Sequence, residues 1–320
     1  MKAYLISLGH FAGLGVLCVA GLVAVRYWIA FDLNAADERQ GQLLAYQEGK
    51  IRNLAADSIE TVLVGDSTLG NAIDIRTFNE QTGSPSVSLA LTGNFGYGGA
   101  LAQLQVLAKR QSRLRNVILF YSVDAMASGL LPDGYFFSTP VPTLTLPWRH
   151  ELSLLGTYGK RLLDGLAAKD FLIRALMAKL PSQVWPPSLT EDDYVISRAQ
   201  ISLANTEPYR VPRQPAESSV AFLAEIAWLC ANNAWNCVYV HGPVLSRSVA
   251  ASPWANEYIS KANVLIEGIG LKVKGGPILM DDNERGDTVF HVRFDRRKEF
   301  TRKYITILGT SSSRCNSARC

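Results

Sequence analysis

Apolar residues recur along the chain in short runs, and most runs end at a glycine or a small polar residue. Segments with the spacing of amphipathic helices lie between these runs. We predict buried strands at residues 61–64, 84–91, 116–121, 236–241 and 277–280. We predict helices at residues 73–81, 100–113, 216–232, 256–268 and 294–308. Strands that alternate with helices are typical of βαβ units, so the pattern predicts an α/β fold with a parallel sheet and right-handed crossovers.

The longest apolar segment covers residues 3–31. This length is sufficient for a bilayer span, which needs about 20 residues. It is too long for the apolar region of a cleaved signal peptide, which has only about 7–15 residues. Tyr27 and Trp28 near its end are typical of the aromatic belt at a membrane interface. We therefore expect an uncleaved transmembrane signal anchor at 1–31, a juxtamembrane helix or linker at 32–58, and a domain at 59–320 outside the cytoplasm.

Two glycines in the anchor, Gly9 and Gly13, have the spacing that lets membrane helices approach closely. The polar His10 beside them favours a protein neighbour over lipid. The pattern indicates a partner within the membrane. Because glycine is frequent in membrane helices, a simple tether is the alternative.

Residues 126–215 interrupt the alternation of strands and helices. This stretch is rich in proline and in aromatic residues, and basic residues stand beside some of the aromatic ones, as in Trp148-Arg149. We interpret it as an insertion that caps the site or docks on a partner or on the membrane surface. An ordinary lid packed on the core is the other interpretation.

The composition supports a folded domain and does not favour nucleic-acid binding. Apolar residues make up 48% of the chain and charged residues 19%, which permits a sizeable core. The net charge is only +4, and the basic residues are scattered rather than gathered in a stripe.

Four of the five cysteines follow the anchor, and an oxidising compartment would allow this even number to pair. Their neighbours in sequence suggest the pairs Cys230–Cys237 and Cys315–Cys320. No group of cysteines and histidines has metal-ligand spacing, so we expect no metal and no cofactor.

Gly65-Asp66-Ser67 directly follows the first predicted strand. Parallel strands present ligand sites at their carboxyl ends, so Ser67 would lie at the mouth of the sheet with a helix beginning beside it. The N–H groups of a helix start can stabilise an oxyanion, which suits a nucleophile. The alternative is that Ser67 only caps the helix.

A serine nucleophile needs a base, and two histidines follow later strands of the predicted sheet. His241 ends one strand, and His291 lies in the loop after the last one. We prefer His291 because Asp287, four residues before it, can fold back to orient the imidazole.

These features resemble the SGNH/GDSL hydrolase superfamily. The resemblance lies in Gly65-Asp66-Ser67, a glycine-rich loop at 92–99 after the second strand, and an Asp/His pair before the last helix. It covers residues 59–310 apart from the insertion. It implies a flavodoxin-like three-layer domain.

Within the superfamily, the chain is most similar to membrane-anchored members that acylate polysaccharides. The resemblance implies an O-acyltransferase, in the first instance an O-acetyltransferase, that moves an acyl group through an acyl-serine intermediate onto a cell-envelope or secreted polysaccharide. It implies a bacterial inner-membrane location with the domain in the periplasm, and an integral-membrane O-acyltransferase of the MBOAT type as partner. A carbohydrate esterase and a non-catalytic scaffold are the alternatives.

Residue by residue, the resemblance makes Ser67 the nucleophile, His291 the base and Asp287 the acid. Gly93 would supply an oxyanion N–H. The family's third block usually carries an oxyanion asparagine, but Val123 occupies that position here. Either Asn94 substitutes for it, or the oxyanion hole has fewer donors. The family also spaces its acid three residues before its base rather than four.

The anchor prediction is tested by the intact mass of protein extracted from membranes. We expect a chain that retains residues 3–31, because the apolar segment is too long for a cleaved leader. A mature chain that begins near Asn34 would contradict it.

Overall fold

The computed structural model describes residues 46–47, 49–129 and 209–309. The predicted anchor, the Cys315–Cys320 pair and most of the insertion lie outside these residues. Within the described ranges, no helix is long and apolar enough to cross a membrane.

The domain contains the five predicted strands and five predicted helices in the predicted order, together with short elements that the pattern did not predict. The strands are β1 (Thr61–Gly65), β2 (Ser86–Ala90), β3 (Asn116–Tyr121), β4 (Asn236–His241), β5 (Val244–Leu245), β6 (Lys272–Val273) and β7 (Leu279–Met280). The helices are α1 (Ser67–Ala72), α2 (Ile75–Thr82), α3 (Gly96–Ala108), α4 (Val220–Asn232), α5 (Ser246–Ala250), α6 (Ala255–Gly268) and α7 (Arg297–Leu308). Residues 49–53 are also helical.

The main sheet has five strands in the order β2-β1-β3-β4-β6, and every neighbouring pair is parallel. When these five strands are numbered by their order in the chain, their order across the sheet is 2-1-3-4-5, which is the order of flavodoxin-like folds. The chain passes from β1 to β2 on one side of it, and then crosses to β3 on the other side of β1. The crevice between the carboxyl ends of β1 and β3 is therefore the expected ligand site.

Two hydrophobic clusters cover the two faces of this sheet. Alternate residues of each central strand point to opposite faces, as in β3, where Leu119 and Tyr121 join one cluster and Ile118 and Phe120 join the other. The first cluster includes residues of α3, α4 and α6, and the second includes residues of α1, α2 and α7. The α/β prediction is confirmed, with helices on both faces.

The structure corrects several predicted boundaries. The helix predicted at 100–113 is Gly96–Ala108, so half of the predicted glycine-rich loop is its first turn. The helix predicted at 73–81 is Ile75–Thr82, since Ile73 ends the preceding helix. The last predicted strand does not extend the main sheet: β7 pairs with β5 in a separate two-stranded sheet.

The predicted Cys230–Cys237 disulfide is present and joins the end of α4 to β4. The described ends of the predicted insertion also lie together, since the Ala216 N–H donates to the Met126 carbonyl at 2.7 Å. The chain therefore leaves and re-enters the domain at one place, as an insertion requires.

A close backbone contact requires glycine at position 65. A Cβ atom at this position would lie 1.9 Å from the Phe120 carbonyl oxygen, which is far inside any allowed contact. The absence of a side chain lets β1 pass β3 closely where the chain turns into α1.

We predict that Gly65→Ala lowers the free energy of unfolding by about 3 kcal/mol or more, because the clashing atom belongs to the backbone and cannot rotate away. Gly276→Ala is the control, since its Cβ would meet nothing within 4 Å, and it should change stability by at most about 0.5 kcal/mol. Chemical denaturation measures both. Equal stabilities of the two variants would contradict the prediction.

Candidate active site

Ser67 is the first residue of α1, at the carboxyl end of β1. Asp66 before it is the N-cap, and its Oδ1 accepts a hydrogen bond from the Thr68 N–H at 2.9 Å. The cap leaves the Ser67 side chain free to point away from the helix. The hydroxyl therefore lies at the predicted crevice, beside an N-terminal helix end.

The Asp66 carboxylate also joins the two strands that flank the crevice. Its Oδ2 accepts from the Ser122 N–H at 2.9 Å, just beyond the end of β3. Burial raises the pKa of Asp66, while the N–H donors of Ser122 and Thr68 oppose that shift. Sequence reasoning assigned no role to this carboxylate, although its position directly after a strand and before a helix was a signal for a cap.

The structure brings together the three predicted side chains of the catalytic unit. His291 Nε2 lies 2.9 Å from Ser67 Oγ, and His291 Nδ1 lies 2.6 Å from Asp287 Oδ1. An ionised carboxylate only accepts hydrogen bonds, so Nδ1 carries the proton and Nε2 accepts from the serine hydroxyl. This is the arrangement of a serine nucleophile, its base and the group that orients the base.

A tight loop places Asp287 against His291. The Gly286 N–H donates to the His291 carbonyl at 2.6 Å, and Arg285 and Val292 form an antiparallel bridge at the base of the loop. The chain thus reverses within the three residues that lie between Asp287 and His291. This reversal accommodates the four-residue spacing of Asp287 and His291, which is one residue wider than the spacing usual in the SGNH superfamily. Only 9% of the Asp287 side chain remains exposed.

His241, the alternative base, is placed elsewhere. It is fully buried, and its Nε2 lies 2.7 Å from Asn263 Oδ1. Burial lowers the pKa of His241. Its side chain has a structural partner on α6 and makes no hydrogen bond to Ser67.

The predicted oxyanion residues, Gly93 and Asn94, line the same cavity as Ser67. They begin a short 3-10 helix at Gly93–Phe95, and within the described part of the chain their N–H groups donate to no protein acceptor. Val123 is buried in the core and does not line the cavity, so the position of the family's asparagine offers no side-chain donor. Among the described residues, the candidate donors to an oxyanion are therefore backbone N–H groups and the side-chain amide of Asn94.

Buried tyrosines support the loop that carries these donors. The Tyr121 hydroxyl donates to the Gly96 carbonyl at 3.0 Å, and the hydroxyls of Tyr97 and Tyr239 lie 2.9 Å apart. Gly96 has φ 47° and ψ −148°, a conformation that strains residues with a side chain. Glycine at this position and the tyrosine contact fix the path of the loop beside Ser67.

A cavity of about 720 Å³ opens over the triad. This volume is within the range of small-molecule sites. Besides the residues already described, its wall includes a carboxylate and two aromatic rings that sequence reasoning missed: Asp124, Tyr209 and Phe290. In the described ranges, no group of histidine, cysteine and acidic residues could hold a metal ion.

No protein-family model matches the chain, and no curated protein matches it in sequence.

The burial of His241 predicts a pH dependence of stability. Its pKa is below its ordinary value in the folded state, so the stability it contributes is present above the unfolded pKa of about 6.5 and is lost as pH falls through the folded pKa. We expect the free energy of unfolding to decrease less from pH 7 to pH 5 in His241→Gln than in the wild type. Identical slopes in chemical denaturation series would contradict this.

Proposed function

We propose that the chain is an SGNH-type serine O-acyltransferase, anchored by residues 1–31 in a bacterial inner membrane. It moves an acyl group, in the simplest case acetyl, through acyl-Ser67 onto a hydroxyl of a cell-envelope or secreted polysaccharide. The observation that carries the proposal is the continuous hydrogen-bonded series from Asp287 through His291 to Ser67. The flavodoxin-like strand order and the resemblance of the Gly65-Asp66-Ser67 segment support the SGNH assignment.

In the first half of the proposed reaction, Ser67 Oγ attacks the acyl carbonyl while His291 Nε2 takes the hydroxyl proton. Asp287 stabilises the imidazolium that forms. The carbonyl oxygen becomes an oxyanion that faces backbone N–H groups, for which Ser67, Gly93 and Asn94 are the candidates. When the intermediate collapses, the bond to the leaving group breaks and the leaving group takes the proton from His291.

The second half runs through the same groups in reverse. A polysaccharide hydroxyl gives its proton to His291 and attacks the acyl carbonyl of the Ser67 ester. The bond to Ser67 Oγ breaks, and Ser67 recovers its proton from His291. The partner implied by the resemblance, an integral-membrane MBOAT O-acyltransferase, would supply the acyl donor at the membrane.

The missing side-chain donor at Val123 favours a transferase over a fast esterase. The loss of one oxyanion donor costs about 2.7–4 kcal/mol of barrier in other serine enzymes. A transferase that receives a reactive acyl donor from its partner tolerates a slower intrinsic rate. An esterase would use the same triad, so the fate of acyl-Ser67 decides between the two activities.

The proposal predicts that an activated acetyl ester labels Ser67 in the full-length chain purified in non-ionic detergent. Ser67→Ala should abolish the label, and His291→Ala should slow acylation by at least about a thousandfold, because the base and the nucleophile act as a unit. Asp287→Ala should be milder than His291→Ala if Asp287 orients the ring. Peptide mass spectrometry locates and quantifies the label.

Ser260→Ala, on the exposed face of α6, is the matched control and should leave the label unchanged. A label on another residue, or full labelling of the Ser67→Ala chain, would overturn the assignment of the nucleophile. If water discharges the acyl-enzyme as fast as any saccharide hydroxyl does, the activity is that of an esterase.

A further inference from the structure

Besides Asp66 and Asp287, the wall of the cavity carries a third carboxylate, which takes no part in the proposed acyl transfer. Asp124 follows β3 by three residues and lines the same cavity as Ser67. The Tyr209 hydroxyl donates to its Oδ2 at 2.8 Å. Burial and the neighbouring carboxylate raise the pKa of Tyr209, so this hydroxyl keeps its proton and remains a donor.

This interaction leaves Asp124 with acceptor capacity that no described residue uses. A carboxylate has about four lone-pair positions, and Tyr209 occupies one of them. Among the described residues, no lysine or arginine forms an ion pair with Asp124. Its 3-10 turn, Ala125–Ala127, also makes no capping bond to the side chain, so the carboxylate is not consumed by local structure.

The described residues that line the cavity include no lysine and no arginine. Apart from tyrosines, the ionisable groups among them are His291 and three aspartates, and one of these aspartates, Asp287, is already paired with His291. Asp124 therefore imposes a negative potential that no described wall residue compensates. Like charges brought together in a cavity repel, which disfavours an anionic ligand.

Two aromatic rings lie beside this carboxylate. Tyr209 and Phe290 pack edge to face with ring centroids 5.2 Å apart, and both line the cavity. Aromatic surfaces pack against apolar parts of a ligand, while a carboxylate accepts hydrogen bonds from its hydroxyls. Sugar rings combine an apolar face with a rim of hydroxyl groups.

We propose that Asp124, Tyr209 and Phe290 form the acceptor subsite and that it selects an uncharged, hydroxyl-rich saccharide over one that carries carboxylate or phosphate groups. The term acceptor rests on the proposed function, in which the bound saccharide receives the acyl group. The binding preference itself does not depend on acyl transfer. Asp124 is the specificity-determining residue, since its carboxylate would accept from acceptor hydroxyls and repel acceptor anions.

The test measures binding to the full-length Ser67→Ala chain, in which no acyl transfer through Ser67 can intervene. The probes are a neutral β-glucan hexasaccharide and an oligogalacturonate of the same length, compared by isothermal titration calorimetry in non-ionic detergent. We expect the neutral probe to bind at least about tenfold more tightly. Asp124→Asn, which keeps the shape and removes the charge, should reduce the ratio of the two affinities at least about threefold.

Asp281→Asn makes the same chemical change on an exposed loop outside the cavity and should leave the ratio unchanged. If the oligogalacturonate binds as tightly as the neutral probe, if neither binds, or if Asp124→Asn leaves the ratio unchanged, the acceptor inference is overturned. If the preference holds while Ser67 of the wild-type chain is never acylated, the proposed function fails and the saccharide subsite stands.

Discussion

The Asp66 carboxylate determines how the site is built, because it holds together the two strand ends between which the site forms. One oxygen accepts from the Thr68 N–H and fixes the start of α1, and the other accepts from the Ser122 N–H beyond β3. Gly65 brings the strands close enough for both bonds, since any side chain there would collide with the Phe120 carbonyl. The position of Ser67 follows from these contacts, as the next residue along the chain.

The proposed base, His291, lies 224 residues after the proposed nucleophile, Ser67, in the sequence. Helix α7, which follows the His291 loop, is tied back to the region after Ser67. Arg297 donates to the Ile73 carbonyl at 2.8 Å, and the Thr301 hydroxyl accepts from the Asp74 N–H at 2.8 Å. These contacts connect the element after His291 to the element after Ser67, so the two segments of the candidate site share one support.

Much of this architecture was predictable because the signals are local. The runs that became β3 and β4 are short and apolar and are bounded by polar residues, and both were predicted with the observed ends. The start of α3 was missed because the glycines at 96, 98 and 99 have low helix propensity, whereas burial of Tyr97 and its neighbours stabilises the first turn. The two-residue strand β6 has no apolar run to reveal it.

The candidate site likewise combines features that local sequence patterns predict with features that depend on tertiary contacts. The reversal that joins Asp287 to His291 spans four residues and could be anticipated from their spacing. The choice between His241 and His291 could be argued from that carboxylate, but two contacts of the folded chain decide it: His291 Nε2 with Ser67 Oγ, and His241 Nε2 with Asn263. The contacts of Asp66 with Ser122 and of Asp124 with Tyr209 depend on which strand ends and segments become neighbours, so no local pattern predicts them.

The central claim, that Ser67 attacks an acyl carbonyl whose oxygen is stabilised by backbone N–H groups, is tested most directly by a crystal structure of the chain after reaction with a fluorophosphonate. The account predicts a covalent bond from Ser67 Oγ to phosphorus. It further predicts a phosphoryl oxygen within hydrogen-bond distance of the N–H groups of Ser67 and Gly93, with His291 still bonded to Asp287. An unmodified Ser67, or a phosphoryl oxygen directed away from these N–H groups, would contradict it.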